Sequence, residues 1–186
     1  MIVVVKRQIS RTGVTAVISL TYARTMETYS RWMNNRLYDC CAKLSDEERK
    51  RDVGAFFKSI HGTLNHLLLG DRIWLGRFTG EPFVVKSLDQ ELYSDFTQLR
   101  SERSATDIAI SDWIASLSEA GLAGELSYMS LVSPKPRRYP LWVAVTHFFN
   151  HQTHHRGQLT TLLVQRGIDP GVTDLIWLPG LQPESA

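Results

Sequence analysis

Between residues 18 and 44 the apolar positions Ile18, Tyr22, Met26, Tyr29, Met33, Leu37, Cys40 and Leu44 recur at steps of 4, 4, 3, 4, 4, 3 and 4. This spacing follows one face of a 3.6-residue helix for about seven turns, and it predicts a long amphipathic helix that must bury its stripe against other helices. A second helix is expected over residues 55–78, with Phe56, Ile60, Leu67 and Trp74 on one stripe. A third is expected over residues 88–117, where Leu92, Phe96, Leu99, Arg103, Thr106, Ile110, Trp113 and Leu117 keep the same rhythm. Pro140 suits the first turn of a fourth, running to about Gln165 with Gly167 as its cap.

The connections carry their own signals. Ser45 followed by Glu48 fits a capping box that opens a short helical turn before Gly54. Gly80, Pro82 and the residues up to Leu88 read as a loop. Residues 128–138 read as a small hairpin or extended excursion before the last helix. With no internal repeat and no second domain, the expected fold is all-α, a four-helix bundle over residues 15–186 preceded by an N-terminal extension at residues 1–14. Its core should contain Tyr29, Met33, Leu37, Leu67, Trp74, Phe96, Trp113, Phe148 and Leu162.

In the third helix the stripe turns polar at Arg103, which has Asp107 at i+4. A surface ion pair worth a few tenths of a kcal/mol is the plain expectation, and an internal polar pocket around Arg103 is the alternative. Lys plus Arg number 21 against 19 Asp plus Glu, a net charge of +2 with no basic cluster, so nucleic acid is not an expected partner. No run of about 18 apolar residues occurs, and Thr15, Ser19 and Thr21 interrupt the apolar N-terminal stretch. A cytoplasmic protein without a membrane segment is expected. The adjacent cysteines Cys40 and Cys41 point about 100° apart on a helix and read as two reduced core thiols.

The chemistry concentrates in the histidines. His147, His151, His154 and His155 fall within nine residues of the fourth helix, and His61 and His66 lie on the second. Two imidazoles four residues apart project from one helix face about 6 Å along the axis and can share one metal ion. His147 and His155 are about 12 Å apart along the axis, too far for one ion, so His151 belongs to any pair. His155 shares its row with Phe148, His151, Leu159 and Leu162, the core stripe, whereas His154 shares its row with Asn150, Gly157 and Thr161. His151 with His155 is therefore the inward pair, and His147 with His151 the alternative. For a third ligand His66 is favoured over His61, because Ser59, Gly62, Thr63 and Gly70 on its side leave space beside the imidazole. His61 is placed at the boundary.

The stretches Thr63-Leu64-Asn65-His66-Leu67, Asp71-Arg72-Ile73-Trp74-Leu75 and Asn150-His151-Gln152-Thr153-His154-His155-Arg156-Gly157-Gln158-Leu159 resemble the signature segments of the DinB/YfiT-like family of metalloenzymes. Residues 29–34 and the stretch closing on Thr173-Asp174-Leu175 are similar to further family patterns. The resemblance implies an up-down-down-up four-helix bundle holding one divalent ion by three histidines, which match His66, His151 and His155 here. It also implies a homodimer. Characterised relatives include transferases and isomerases that use low-molecular-weight thiols such as bacillithiol and mycothiol.

Three imidazoles leave a metal with open positions, the arrangement of catalytic rather than structural sites. The first expectation is thus a metal-dependent enzyme, a transferase or hydrolase that activates a low-molecular-weight thiol or water for a small-molecule substrate. The alternative is a non-catalytic metal-binding stress or interaction protein. Arg156, Gln158 and Arg103 are the candidates for supporting the ligands or an anionic substrate. Three neutral imidazoles accept Fe, Ni, Cu or Zn, so the expected cofactor is a divalent transition metal such as Zn, Ni or Fe, with cellular supply deciding.

Overall fold

The structure is a computed structural model that describes residues 16–131 and 135–181; the N-terminal extension expected at residues 1–14 lies outside the described residues. The chain is mostly helical with one small sheet. Its order is α1 (Leu20–Cys41), α2 (Asp46–Lys50), α3 (Ile60–Thr79), α4 (Phe96–Ala115), α5 (Glu119–Leu122), β1 (Glu125–Met129), β2 (Pro136–Pro140) and α6 (Leu141–Gln165), followed by a 3-10 turn at Leu175–Trp177. Of the long helices, α1 packs on α4 and α6, and α3 packs on the same two. All nine of the expected core residues are buried.

Capping fixes where the helices begin. Ser19 Oγ accepts from the Tyr22 N–H at 3.0 Å and starts α1. The capping box at α2 is complete, with Ser45 and Glu48 each accepting the other's backbone N–H. Each such cap satisfies a donor that has no partner inside the helix and is worth about 1 kcal/mol. At the far end of α6, Gly167 adopts φ 73° and the Ile168 N–H returns to the Leu163 carbonyl, as the sequence led us to expect.

Two helices begin later than their apolar rhythm suggests. For α3 the cause is Lys58, held at φ 66° in a tight turn whose N–H donates to the Ala55 carbonyl at 2.7 Å. Ser59 then caps the helix, and Phe56, expected on the inner stripe, is 85% exposed. For α4, Asp95 caps the first turn through the Gln98 N–H at 2.7 Å, so residues 88–94 are irregular despite Leu92. A buried side chain of α3 holds that irregular stretch: Asn65 Oδ1 accepts the N–H groups of Leu92 and Tyr93 at 2.8 and 3.0 Å, and its Nδ2 donates to the Tyr93 carbonyl at 3.0 Å.

The excursion before α6 is an antiparallel hairpin, paired from Glu125 opposite Pro140 to Met129 opposite Pro136. The segment after α6 lies on α1, where Tyr29 Oη donates to the Thr173 carbonyl and Arg36 Nε to the Pro170 carbonyl, both at 2.6 Å. Among the described residues no helix is long and apolar enough to cross a membrane. Cys40 and Cys41 are buried free thiols, and burial pushes the Cys41 thiol up to about 12, which keeps it protonated.

The middle of the helix assembly is ionic. Arg103 is 3% exposed, so the surface ion pair expected for it is corrected to a buried one. Its Nη1 donates to Asp71 Oδ2 at 2.5 Å and its Nη2 lies 2.8 Å from Asp107 Oδ1, which also accepts from Asn34 Nδ2 at 2.9 Å. Asp71 comes from α3, 32 positions away in the chain, and no helical periodicity reports such a partner. Burial raises both carboxyls while Arg103 pulls them down; burial wins, and Asp107 is pushed up to about 6.

Candidate metal centre

His66 lies on α3, and His151 and His155 lie one turn apart on α6. Rising positions on α3 meet falling positions on α6, since Gly70 faces His151 and Trp74 lies 4.9 Å from His147 between ring centroids. The two helices therefore run antiparallel, and the three imidazoles meet between them. One ring nitrogen from each lies within 4.8 Å of the other two. His151 Nε2 and His155 Nε2 are 3.1 Å apart, close to the roughly 3.3 Å that separates neighbouring nitrogens around a tetrahedral ion with bonds of about 2.0 to 2.1 Å.

The outer nitrogens fix the tautomers. His66 Nδ1 lies 2.9 Å from the Leu88 carbonyl, which can only accept, so Nδ1 carries the proton and Nε2 offers its lone pair. His155 Nδ1 lies 2.8 Å from Gln158 Oε1 and is fixed in the same way. Such partners orient ligating imidazoles in metal sites, and their loss costs about 10- to 100-fold in affinity. Burial pushes His66 down to about 4. Burial, with the neighbouring His155 and His66, pushes His151 down to about 3, and burial also lowers His155. All three are neutral at pH 7, the form that binds metal.

His151 is held differently. Its Nδ1 is buried without a hydrogen-bond partner among the described residues, and the ring is located by shape. A Cβ at Gly70 would come within 2.8 Å of His151 Cε1, so the imidazole occupies the space that the missing side chain leaves. Gly70 was expected to make room beside His66; the room it makes is for His151. We expect Gly70→Ala to displace that ring and lower divalent-ion affinity at least about tenfold, as for a lost supporting contact. Competition with a chelating dye measures this, and unchanged affinity would show that the ring does not depend on the gap.

The other expected residues separate clearly. Gln158 supports His155 as described. Arg156 is buried with its guanidinium 5.1 Å from the Tyr29 ring centroid and its Nη2 donating to Thr153 at 3.2 Å, so it is neither a surface cation nor a partner of the imidazoles. Arg103 belongs to the ionic core. His61, placed at the boundary by sequence, is 1% exposed and hydrogen-bonded to the Tyr93 carbonyl at 2.9 Å. His154 and His147 are both exposed, and His147 stands outside the three-nitrogen cluster. Phe57, not among the expected site residues, stacks on His66 with ring centroids 3.7 Å apart. It lies within the Ala55–Lys58 turn that delays α3, and a sequence reading that starts the helix at residue 55 cannot place it there.

Comparison with known proteins gives a family. The family model described as DinB family matches residues 19–185, nearly the whole chain. The chain belongs to the DinB family. It is also 26% identical over 162 residues to Protein DinB of Bacillus subtilis (strain 168), covering 82% of this chain and 91% of that protein. A DinB family chain with three neutral, convergent imidazoles is compatible with metal binding.

Proposed function

We propose that His66, His151 and His155 hold one divalent transition metal, and that the protein is a metal-dependent enzyme, a transferase or hydrolase acting on a small molecule with a low-molecular-weight thiol or water as nucleophile. The observation that carries this reading is the convergence of one ring nitrogen from each of three imidazoles to within 4.8 Å, two of the rings being held by hydrogen bonds at Nδ1. When bound, the ion would lower the pKa of a thiol or water and act as a Lewis acid. Leu88 and Gln158 hold the ring protons on the side away from the centre. Phe57 covers one face of His66 and keeps water from it. Beside His66 and His151 a cavity of about 300 Å³ gives a small molecule access, which favours catalysis over a purely structural ion.

With this reading go an up-down-down-up four-helix bundle, one domain over residues 15–186, a cytoplasmic setting and a homodimer. Support comes from the pairwise packing of the four long helices, the family match and the unbridged neighbours Cys40 and Cys41. Titrating a small thiol into the cobalt-substituted protein tests the function. A new sulfur-to-metal absorption band at millimolar thiol is expected, and an unchanged spectrum at saturating thiol would favour a closed, non-catalytic ion.

A further inference from the structure

The cavity beside the imidazoles carries a cation, Arg77, that no carboxylate neutralises among the described residues. Arg77 lies on the α3 stripe that carries His66, Gly70 and Trp74, and together with Tyr128 and His151 these residues line the cavity. Its guanidinium lies against two aromatic rings, 4.4 Å from the Trp74 centroid and 4.2 Å from that of Tyr128, in the corner the rings make with each other at 5.5 Å and 69°. Among the described residues it makes no hydrogen bond and no ion pair, and it is half-buried. Every other arginine of α3 and α4, namely Arg72, Arg100 and Arg103, has a carboxylate partner. A guanidinium held by ring contacts alone leaves its planar N–H fork to pair with the two oxygens of a carboxylate or phosphate. Burial disfavours its charge, so an arriving anion recovers interaction that the apoprotein forgoes.

We propose that this cavity binds a small molecule bearing an oxyanion, a carboxylate or phosphate, which Arg77 takes at the end remote from the three histidines while the molecule's middle lies along Trp74 and Tyr128. His66 and Arg77 are 11 positions apart, about 16 Å along the helix axis, and helical side chains lean toward the N-terminus, so Arg77 reaches back over the cavity toward the imidazoles. A volume of about 300 Å³ is at the small end of ligand pockets, which fits a metabolite-sized molecule rather than a peptide. The location of the reacting end rests on the metal reading above; the anion site does not.

The test uses calorimetry on the full chain in two arms. In the metal-free protein, 3-phenylpropionate and phenyl phosphate are compared with neutral 3-phenylpropanol; at least about tenfold tighter binding of one or both anions is expected, and the difference between them says which oxyanion fits. Arg77→Gln should abolish that preference while leaving the alcohol's affinity unchanged, and Arg77→Lys should restore only part of it, because an ammonium lacks the planar fork. Equal affinity for acid and alcohol, or a preference that survives Arg77→Gln, overturns the proposal. In the metal-loaded protein, 6-mercaptohexanoate, long enough to reach from the ion past Trp74 to Arg77, should bind at least about tenfold tighter than 6-mercaptohexanol. If the first arm succeeds and neither thiol responds to metal, the metal reading fails and the anion site stands.

Discussion

Replacing His66, His151 or His155 by alanine is expected to abolish tight divalent-ion binding, while His154→Ala leaves metal content unchanged. Structural zinc is worth about 10 to 16 kcal/mol over four ligands, or about 2.5 to 4 kcal/mol each, so one missing imidazole costs roughly 60- to 700-fold. His147→Ala should cost no more than about tenfold, because its ring lies 6.1 Å from that of His151 and outside the cluster. All of these variants should remain folded, since the buried apolar residues of α1, α3, α4 and α6 form one core. Metal analysis of the purified proteins decides the assignment. Loss of the ion in His154→Ala with retention in His155→Ala would require the centre to be redrawn.

Arg103→Met is expected to destabilise the fold by about 3 to 5 kcal/mol, the usual cost of leaving a buried charge without its partner. It strands two buried carboxylates, Asp71 and Asp107, that share this guanidinium. The effect should depend on pH with a definite sign. Burial already raises both carboxyls above their ordinary value of 3.8, Asp107 to about 6, and removing Arg103 raises them further. A carboxyl whose folded pKa is raised contributes stability below its unfolded pKa and loses it as pH rises through the folded pKa. The deficit of the variant relative to the parent protein should therefore be largest near pH 7 to 8 and shrink toward pH 4. Urea unfolding across that range measures it, and a deficit independent of pH would show that packing rather than charge is responsible.

What could be read from the sequence is what has a period. The apolar rhythm of α1 and α6, the capping box at Ser45 and the row that joins His151 to His155 are local, and the structure keeps them. What could not be read depends on partners distant in the chain. Leu92 continues the rhythm into α4, yet residues 88–94 stay irregular because Asn65, 27 and 28 positions earlier, supplies the hydrogen bonds a helix would otherwise supply. Arg103 looked like half of a surface pair because its buried partner, Asp71, sits on another helix. Arg77 falls on the stripe of His66 and Gly70, a spacing visible in the sequence, but that it has no counter-ion among the described residues is a property of three dimensions alone.

Leu88 sits where two duties meet in one residue. Its carbonyl fixes the proton of His66, and its side chain lines the neighbouring cavity. The first duty is performed by the main chain, which every amino acid possesses, and the loop is anchored through the backbone of Leu92 and Tyr93 by Asn65. Of the side chains from Val84 to Glu91, most of them exposed, Gln90 braces the loop by accepting the Lys86 N–H at 2.8 Å, while that of Leu88 takes no part in orienting the imidazole. Evolution, or a designer, can exchange the Leu88 side chain to reshape what the cavity admits without retuning His66. Selectivity and reactivity are separable here because one is encoded by residue identity and the other by backbone path.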